Sequence, residues 1–155
     1  MNSVVLGDLG LYRGNDCLSF DGVTGRLLTT AIINDDFDIT IKLSRYDGYS
    51  GSLGYLFRAS NDFATGVYIY ISAGGTVNTK VGDGVGLVGT FDGAKAVEGE
   101  PLEIRLKLTG LMLERWINSV YSSTTLTTVV FNGSVSYIMG RSDSAVCTDG
   151  ILSSY

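Results

Sequence analysis

The chain has 155 residues, enough for one domain with a full hydrophobic core and no dependence on metal or disulfide staples. Hydrophobic residues make up 45% and charged residues 17%, yet no run approaches the roughly 20 apolar residues of a membrane-spanning helix. A net charge of −5, with 11 basic residues spread thinly, gives no electrostatic footprint for nucleic acid, and the absence of histidine excludes Ser-His-Asp and Cys-His catalysis within the chain.

Residues 1–16, MNSVVLGDLGLYRGND, are punctuated by glycine and lack the basic start and continuous apolar stretch of a secretory signal. They read as an N-terminal arm or an extra edge strand. Short apolar runs at Leu18–Phe20 and Arg26–Ala31 flank Asp21-Gly22, a pair that favours a tight turn, so Asp21 is read as a turn residue. In FDITIKLS, Phe37, Ile39, Ile41 and Leu43 alternate with polar residues, the period of a half-buried strand. Leu53–Arg58 and Val67–Ile71 are apolar and aromatic strands, and Val77–Val81 follows a Gly74-Gly75 hairpin turn. Leu87–Phe91 is a short strand. In LEIRLKLT, Leu102, Ile104, Leu106 and Leu108 repeat the alternation. Met112–Ile117 and Val120–Ser123 flank Asn118-Ser119, a tight turn because Asn tolerates positive φ. Val129–Phe131, Val135–Met139 and Ile151–Ser154 complete the set. No window carries a capped helical stripe, and many short strands between turns predict an all-β sandwich or barrel.

The succession of Leu-Ser-Phe-Asp-Gly, FDITIKL, GVYIYI, LEIRLKLTG after Pro101, RWINSVYSS, IMGRSDS and DGILSSY resembles the concanavalin A-like, laminin-G-like jelly roll. The resemblance spans residues 17–155 and implies a single jelly-roll domain, a two-sheet antiparallel β-sandwich. It departs from the family pattern where Asn-Ser stands for the usual Asn-Gly. Neighbouring first and last strands, which this fold implies, would bring Cys17 and Cys147 within reach of a disulfide; two free thiols in a reducing cytoplasm are the favoured alternative. The Gly- and Thr-rich style also resembles bacteriophage virion proteins. That likeness implies a protein of the virion surface, made in the host cytoplasm without a signal peptide, with other virion proteins or its own copies as partners.

Glycoside hydrolysis needs paired carboxylates. Glu98, Glu100 and Glu103 are the nearest case, but Pro101 interrupts them, and Glu114 stands alone. Gly84, Gly86 and Gly89 fit G-x-G-x-x-G, but no helix follows to receive a phosphate, so the match reads as a Gly-rich loop. Asp35, Asp36 and Asp38 are the candidate calcium ligands, with Asp83 and Asp92, and Asp143 and Asp149, as further pairs; the alternative is solvated loop acids. Sugars stack on flat aromatic rings, and Tyr68 and Tyr70 share a strand face opposite Val67, Ile69 and Ile71. Together with Trp116 and Tyr121 they are the candidate carbohydrate-binding residues, with Tyr46, Tyr49 and Tyr55 as further aromatics. The alternative for all of them is packing in a core or an interface.

These residues predict a non-enzymatic protein without a catalytic site and without a cofactor, calcium excepted as a candidate ion. The main expectation is a virion-type surface structural protein, a capsid decoration or a tail or fibre component, acting by protein–protein docking. The alternative is a carbohydrate-binding recognition module for host or environmental glycans.

Overall fold

Phe37, Ile39, Ile41 and Leu43 turn one face of the strand Phe37–Tyr46 into the interior, where each is at most 4% exposed. Their polar neighbours Asp38, Thr40 and Lys42 lie on the opposite face, so the alternation in the sequence sets the inside and outside of the layer. The computed structural model describes residues 2–3, 18–21, 27–46, 53–60, 62, 64–72, 74–89, 91, 94–133, 135–138 and 149–154.

In chain order the strands are β1 (Asn2–Ser3), β2 (Leu18–Asp21), β3 (Leu27–Ile32), β4 (Phe37–Tyr46), β5 (Leu53–Ala59), β6 (Val67–Ser72), β7 (Val77–Gly82), β8 (Leu87–Val88), β9 (Leu102–Thr109), β10 (Met112–Ile117), β11 (Val120–Thr125), β12 (Val135–Ile138) and β13 (Asp149–Ser154). There is no helix among the described residues. One sheet runs β11-β10-β9-β4-β13-β2, with β1 pairing parallel to β4; the other runs β3-β12-β5-β6-β7-β8. All pairings but that of β1 are antiparallel. The chain changes sheet between β2 and β3, β3 and β4, β4 and β5, β8 and β9, β11 and β12, and β12 and β13. These crossings make the expected two-sheet sandwich.

The core is the facing layer of both sheets. Ile39, Ile41, Ile104, Leu106 and Leu113 come from one sheet, and Phe57, Val67, Ile69, Val77 and Val81 from the other. Each buried Val, Leu or Ile contributes about 1.5–3 kcal/mol. The last strand lies beside the first strand of residues 17–155: β13 pairs with β2, Leu152 opposite Leu18.

Two expected strands are corrected. Val129–Phe131 is irregular, because its backbone bridges two other segments: Val130 N donates to Gly82 O at 2.8 Å and Gly66 N donates to Val130 O at 2.7 Å. Phe131 still packs edge-on to Phe37, with ring centroids 6.4 Å apart. The Leu87–Phe91 strand stops at Val88, and Gly89 follows with φ +77°, a left-handed conformation that does not continue a strand. Asp21 closes β2 opposite Asp149; the turn beyond it lies outside the described residues.

Candidate functional site

Four strands of one sheet lay a row of side chains across its outward face. Thr40 on β4 pairs with Arg105 on β9, Arg105 with Trp116 on β10, and Trp116 with Tyr121 on β11. The Trp116 and Tyr121 rings lie 5.1 Å apart, tilted at 47°. The Arg105 guanidinium stands 4.8 Å from the Trp116 ring centre, within cation–π range. Its Nε donates to Asp38 Oδ1 at 2.8 Å and its Nη2 to Asp38 Oδ2, a two-point pair that holds the guanidinium plane. The hydrogen bonds from Arg105 to Asp38 raise the arginine's pKa.

A second row runs alongside. Glu114 on β10 pairs with Lys107 on β9 and Ser123 on β11. Glu114 accepts a hydrogen bond from the Tyr121 hydroxyl at 3.1 Å and forms an ion pair with Lys107 at 3.6 Å. Tyr121 is 52% exposed, so its ring meets solvent while its hydroxyl is anchored. The face therefore offers a tilted pair of aromatic rings bordered by oriented charged and polar groups.

Tyr68 and Tyr70 lie on the other sheet. They face away from Val67, Ile69 and Ile71, as the alternation predicts, but Tyr68 is 0% exposed and cannot stack on a sugar in this structure. Its neighbours on that face, Tyr55 and Arg58, are buried with it, at 0% and 5% exposed. Arg58 stands 5.4 Å from the Tyr55 ring and 5.5 Å from the Tyr68 ring, and the two rings are 6.3 Å apart. Burial raises the Tyr68 pKa above its ordinary value. Tyr70 is half-buried and meets Tyr55 edge-on at 5.8 Å. Of the four predicted aromatics, Tyr121 is exposed, Trp116 and Tyr70 are half-buried, and Tyr68 is enclosed.

Arg115 is a residue that the sequence reading passed over. It lies on the core side of β10 between Leu113 and Ile117 and is 4% exposed. Its guanidinium stacks 4.5 Å from the Phe91 ring, and its Nε donates to Ser122 Oγ at 3.3 Å. The signal was a charge at an inward position of the alternation in MLERWI.

No protein-family model and no curated protein sequence matches the chain. Solved structures do. The CBM40 of the Ruminococcus gnavus IT-sialidase, bound to α2,3-sialyllactose, aligns with a TM-score of 0.59 at 14% identity over 77% of this chain and 73% of that one. Domains LG4-5 of the mouse laminin α1 chain align with a TM-score of 0.56 at 15% identity over 90% of this chain, which spans 37% of the laminin chain. A galectin, LEC-6 of Caenorhabditis elegans, aligns with a TM-score of 0.49 at 10% identity over 91% of this chain and 94% of that one.

The fold is a concanavalin A-like jelly roll.

Within the jelly roll the candidate calcium ligands point to separate partners. Asp36 accepts from Gly110 N at 2.8 Å, Asp38 holds Arg105, and Asp35 accepts from Asp36 N at 2.8 Å. Among the described residues no three acidic or cysteine side chains gather into a group able to hold a metal. Asp83 caps its own turn, accepting from Val85 N and Gly86 N at 2.8 Å each, and these bonds, Gly86 first, lower its pKa. Gly84 and Gly86 belong to this turn, and Gly89 directly follows β8. Glu103 pairs with Lys42 at 3.2 Å, while Glu98 and Glu100 are exposed in the loop before β9. Cys17, Cys147, Asp92, Asp143 and Tyr49 lie outside the described residues.

Proposed function

We propose that this jelly roll is a non-catalytic carbohydrate-recognition module whose binding face is the outward side of β9, β10 and β11. The observation that carries this proposal is the Trp116–Tyr121 pair, an aromatic surface 52% exposed at Tyr121 and flanked by Arg105 and Glu114 with their orientations held by hydrogen bonds. A pyranose ring has an apolar face that stacks on such a surface and hydroxyls that Glu114 and Arg105 can meet at its border. The α2,3-sialyllactose bound by the R. gnavus module, of the same fold, supports recognition of glycans as a class without naming a sugar for this chain. The ligand would be a glycan of a host cell or of the surroundings.

The test is a broad glycan panel probed with the native chain and with Tyr121→Ala. Binding that the substitution weakens, with the melting temperature retained, is the expected result; native protein that binds no glycan on the panel would sink the proposal.

A second reading keeps the module as a virion-surface structural protein, either a capsid decoration or a tail or fibre component. It rests on β11, which ends its sheet and exposes Val120 at 70% beside Tyr121. An uncharged edge strand of Val, Tyr, Ser and Thr is a natural surface for docking onto another protein or another copy. Size-exclusion chromatography with light scattering separates the readings: a stable oligomer, or co-elution with phage particles, favours docking, and a monomer that ignores both favours recognition.

A further inference from the structure

The strand β11 ends its sheet, and its sequence, VYSSTT, does nothing to blunt that edge. Sheet edges are commonly closed by a charge, a proline, a bulge or short length. β11 has no charge and no proline, and it pairs with β10 over all six of its residues without a register shift. The other sheet edges differ: β2 ends on the charged Asp21, β3 meets β12 through a register shift, and β8 has only two residues before Gly89. The turn Asn118-Ser119 decides which backbone groups of β11 are free. It makes Ile117 and Val120 a hydrogen-bonded pair, and from there the ladder alternates. At the far end Leu126 N donates to Leu111 O at 2.8 Å, which is the same phase. Val120, Ser122 and Thr124 therefore turn their N–H and C=O groups to β10. Tyr121, Ser123 and Thr125 turn theirs to the open edge, and all three residues are exposed.

We infer that this edge pairs antiparallel with β11 of a second copy of the chain. The inference rests on the docking reading of β11 given above and names its partner. A two-fold axis through Ser123 sets that residue against Ser123 of the second copy, and Tyr121 against Thr125, so each free N–H and C=O of these residues meets its complement. Moving the axis one residue either way leaves Thr125 or Tyr121 beyond the end of the partner strand. This match of the strand to itself favours a second copy over a foreign strand. The same register brings Val120, 70% exposed, beside Leu126 of the second copy. No charged side chain lies on either edge strand, so like charges do not oppose each other there, although each chain carries −5. Pairing at the edge leaves the sheet faces uncovered. The two Trp116–Tyr121 surfaces would lie on one continuous outward face, with the tyrosines about 14 Å apart.

The experiment is light scattering on the full chain from about 0.01 to 1 mM, with amide hydrogen exchange read by NMR at both ends of that range. The expected result is a mass that doubles with concentration. Exchange at Tyr121, Ser123 and Thr125 should slow at least about tenfold in the concentrated sample, while Ser122 and Thr124, already bonded within the hairpin, change little. Ser123→Pro removes the N–H at the axis and keeps the bonds to β10, because proline is tolerated on an edge strand where its nitrogen faces outward. That variant should stay monomeric with the native melting temperature. Ser123→Lys, which sets two like charges on the axis, should also stay monomeric and serves if the proline variant does not fold. A native chain that remains monomeric, a dimer without slowed exchange at those three amides, or a Ser123→Lys chain that dimerises like the native one would overturn the pairing. The docking reading fails separately: a monomeric chain that co-elutes with phage particles, or a dimer formed through another surface, retains docking and removes the self-pairing of β11.

Discussion

Trp116 and Tyr121 stand directly opposite each other on β10 and β11, their rings 5.1 Å apart, one half-buried and the other 52% exposed. The pair is asymmetric in what it holds. Trp116 carries the Arg105 guanidinium at 4.8 Å, whereas the Tyr121 hydroxyl donates to Glu114 and its ring meets solvent. Tyr121→Ala should therefore weaken glycan binding about tenfold, or ~1.4 kcal/mol, with little change in stability. Trp116→Ala should weaken binding as well but also lose the cation–π contact, about 0.5–1 kcal/mol. Tyr68→Phe should leave binding at the native level, because its ring is enclosed. Parallel binding curves and thermal melts of the three variants check the division; equal losses in Tyr68→Phe and Tyr121→Ala would count against the outward face.

The turn between β10 and β11 uses Asn118 at φ +46° and Ser119 at φ +70°. Asn118 suits that region, and its Oδ1 also accepts from Glu103 N at 2.7 Å, tying the turn to the start of β9. Ser119 has only the strain. Ser119→Gly should stabilise by about 0.5 kcal/mol, the relief of roughly 1–2 kcal/mol being offset in part by the freedom glycine adds to the unfolded chain. Asn118→Ala should cost about 1–2 kcal/mol, since it loses both the acceptor and the tolerance for positive φ. Urea midpoints of the two variants should move in opposite directions.

Strand alternation carried most of the architecture, because a layer with one wet face writes its period into the residues: FDITIKLS and LEIRLKLT could be read directly as β4 and β9. Val129–Phe131 could not. Val129 and Phe131 are apolar because they pack against the core, while the backbone of Val130 between them joins Gly66 to Gly82. Local composition does not distinguish that from a strand. The enclosure of Tyr68 was not legible for a related reason. Its facing follows from period two, but its burial does not, and its neighbours Tyr55 and Arg58 meet it only when β5 and β6 pair. Trp116 and Tyr121 were legible as aromatics on strands flanking a turn, while their contact depends on the two-residue length of that turn. Arg115 was legible in principle, as a charge where Leu113 and Ile117 require an apolar residue.

Asp62 gives the fold a dependence on acid. Its carboxylate accepts from Ala64 N at 2.8 Å, from the Thr65 hydroxyl at 3.0 Å, and from Asn132 Nδ2 at 3.3 Å. The backbone bond from Ala64 is the largest cause that lowers its pKa below the ordinary carboxylate value. A lowered folded-state pKa means that the contribution is present above the unfolded value, about 4, and is lost as pH falls through the folded value. Asp62→Asn should be less stable than the native chain at pH 7, and the gap should close on acidification below about pH 4. A gap that stays constant from pH 7 to pH 3 in urea denaturation would remove the carboxylate from this role.

Thr79 carries a polar atom into the core where an apolar one would serve. It pairs across the sheet with Ile69 and sits between Val77 and Val81 on the inward face of β7, 1% exposed. Its hydroxyl is buried with no hydrogen-bond partner among the described residues. Burying an unmatched hydroxyl costs about 1–3 kcal/mol relative to water, and valine has nearly the same shape without it. Thr79→Val should accordingly raise stability by about 1 kcal/mol, seen as a melting temperature higher by about 2–4 °C. A lower melting temperature would mean that the hydroxyl is satisfied in solution, by water or by a partner outside the described residues, and that its retention in β7 is a matter of stability rather than of tolerance.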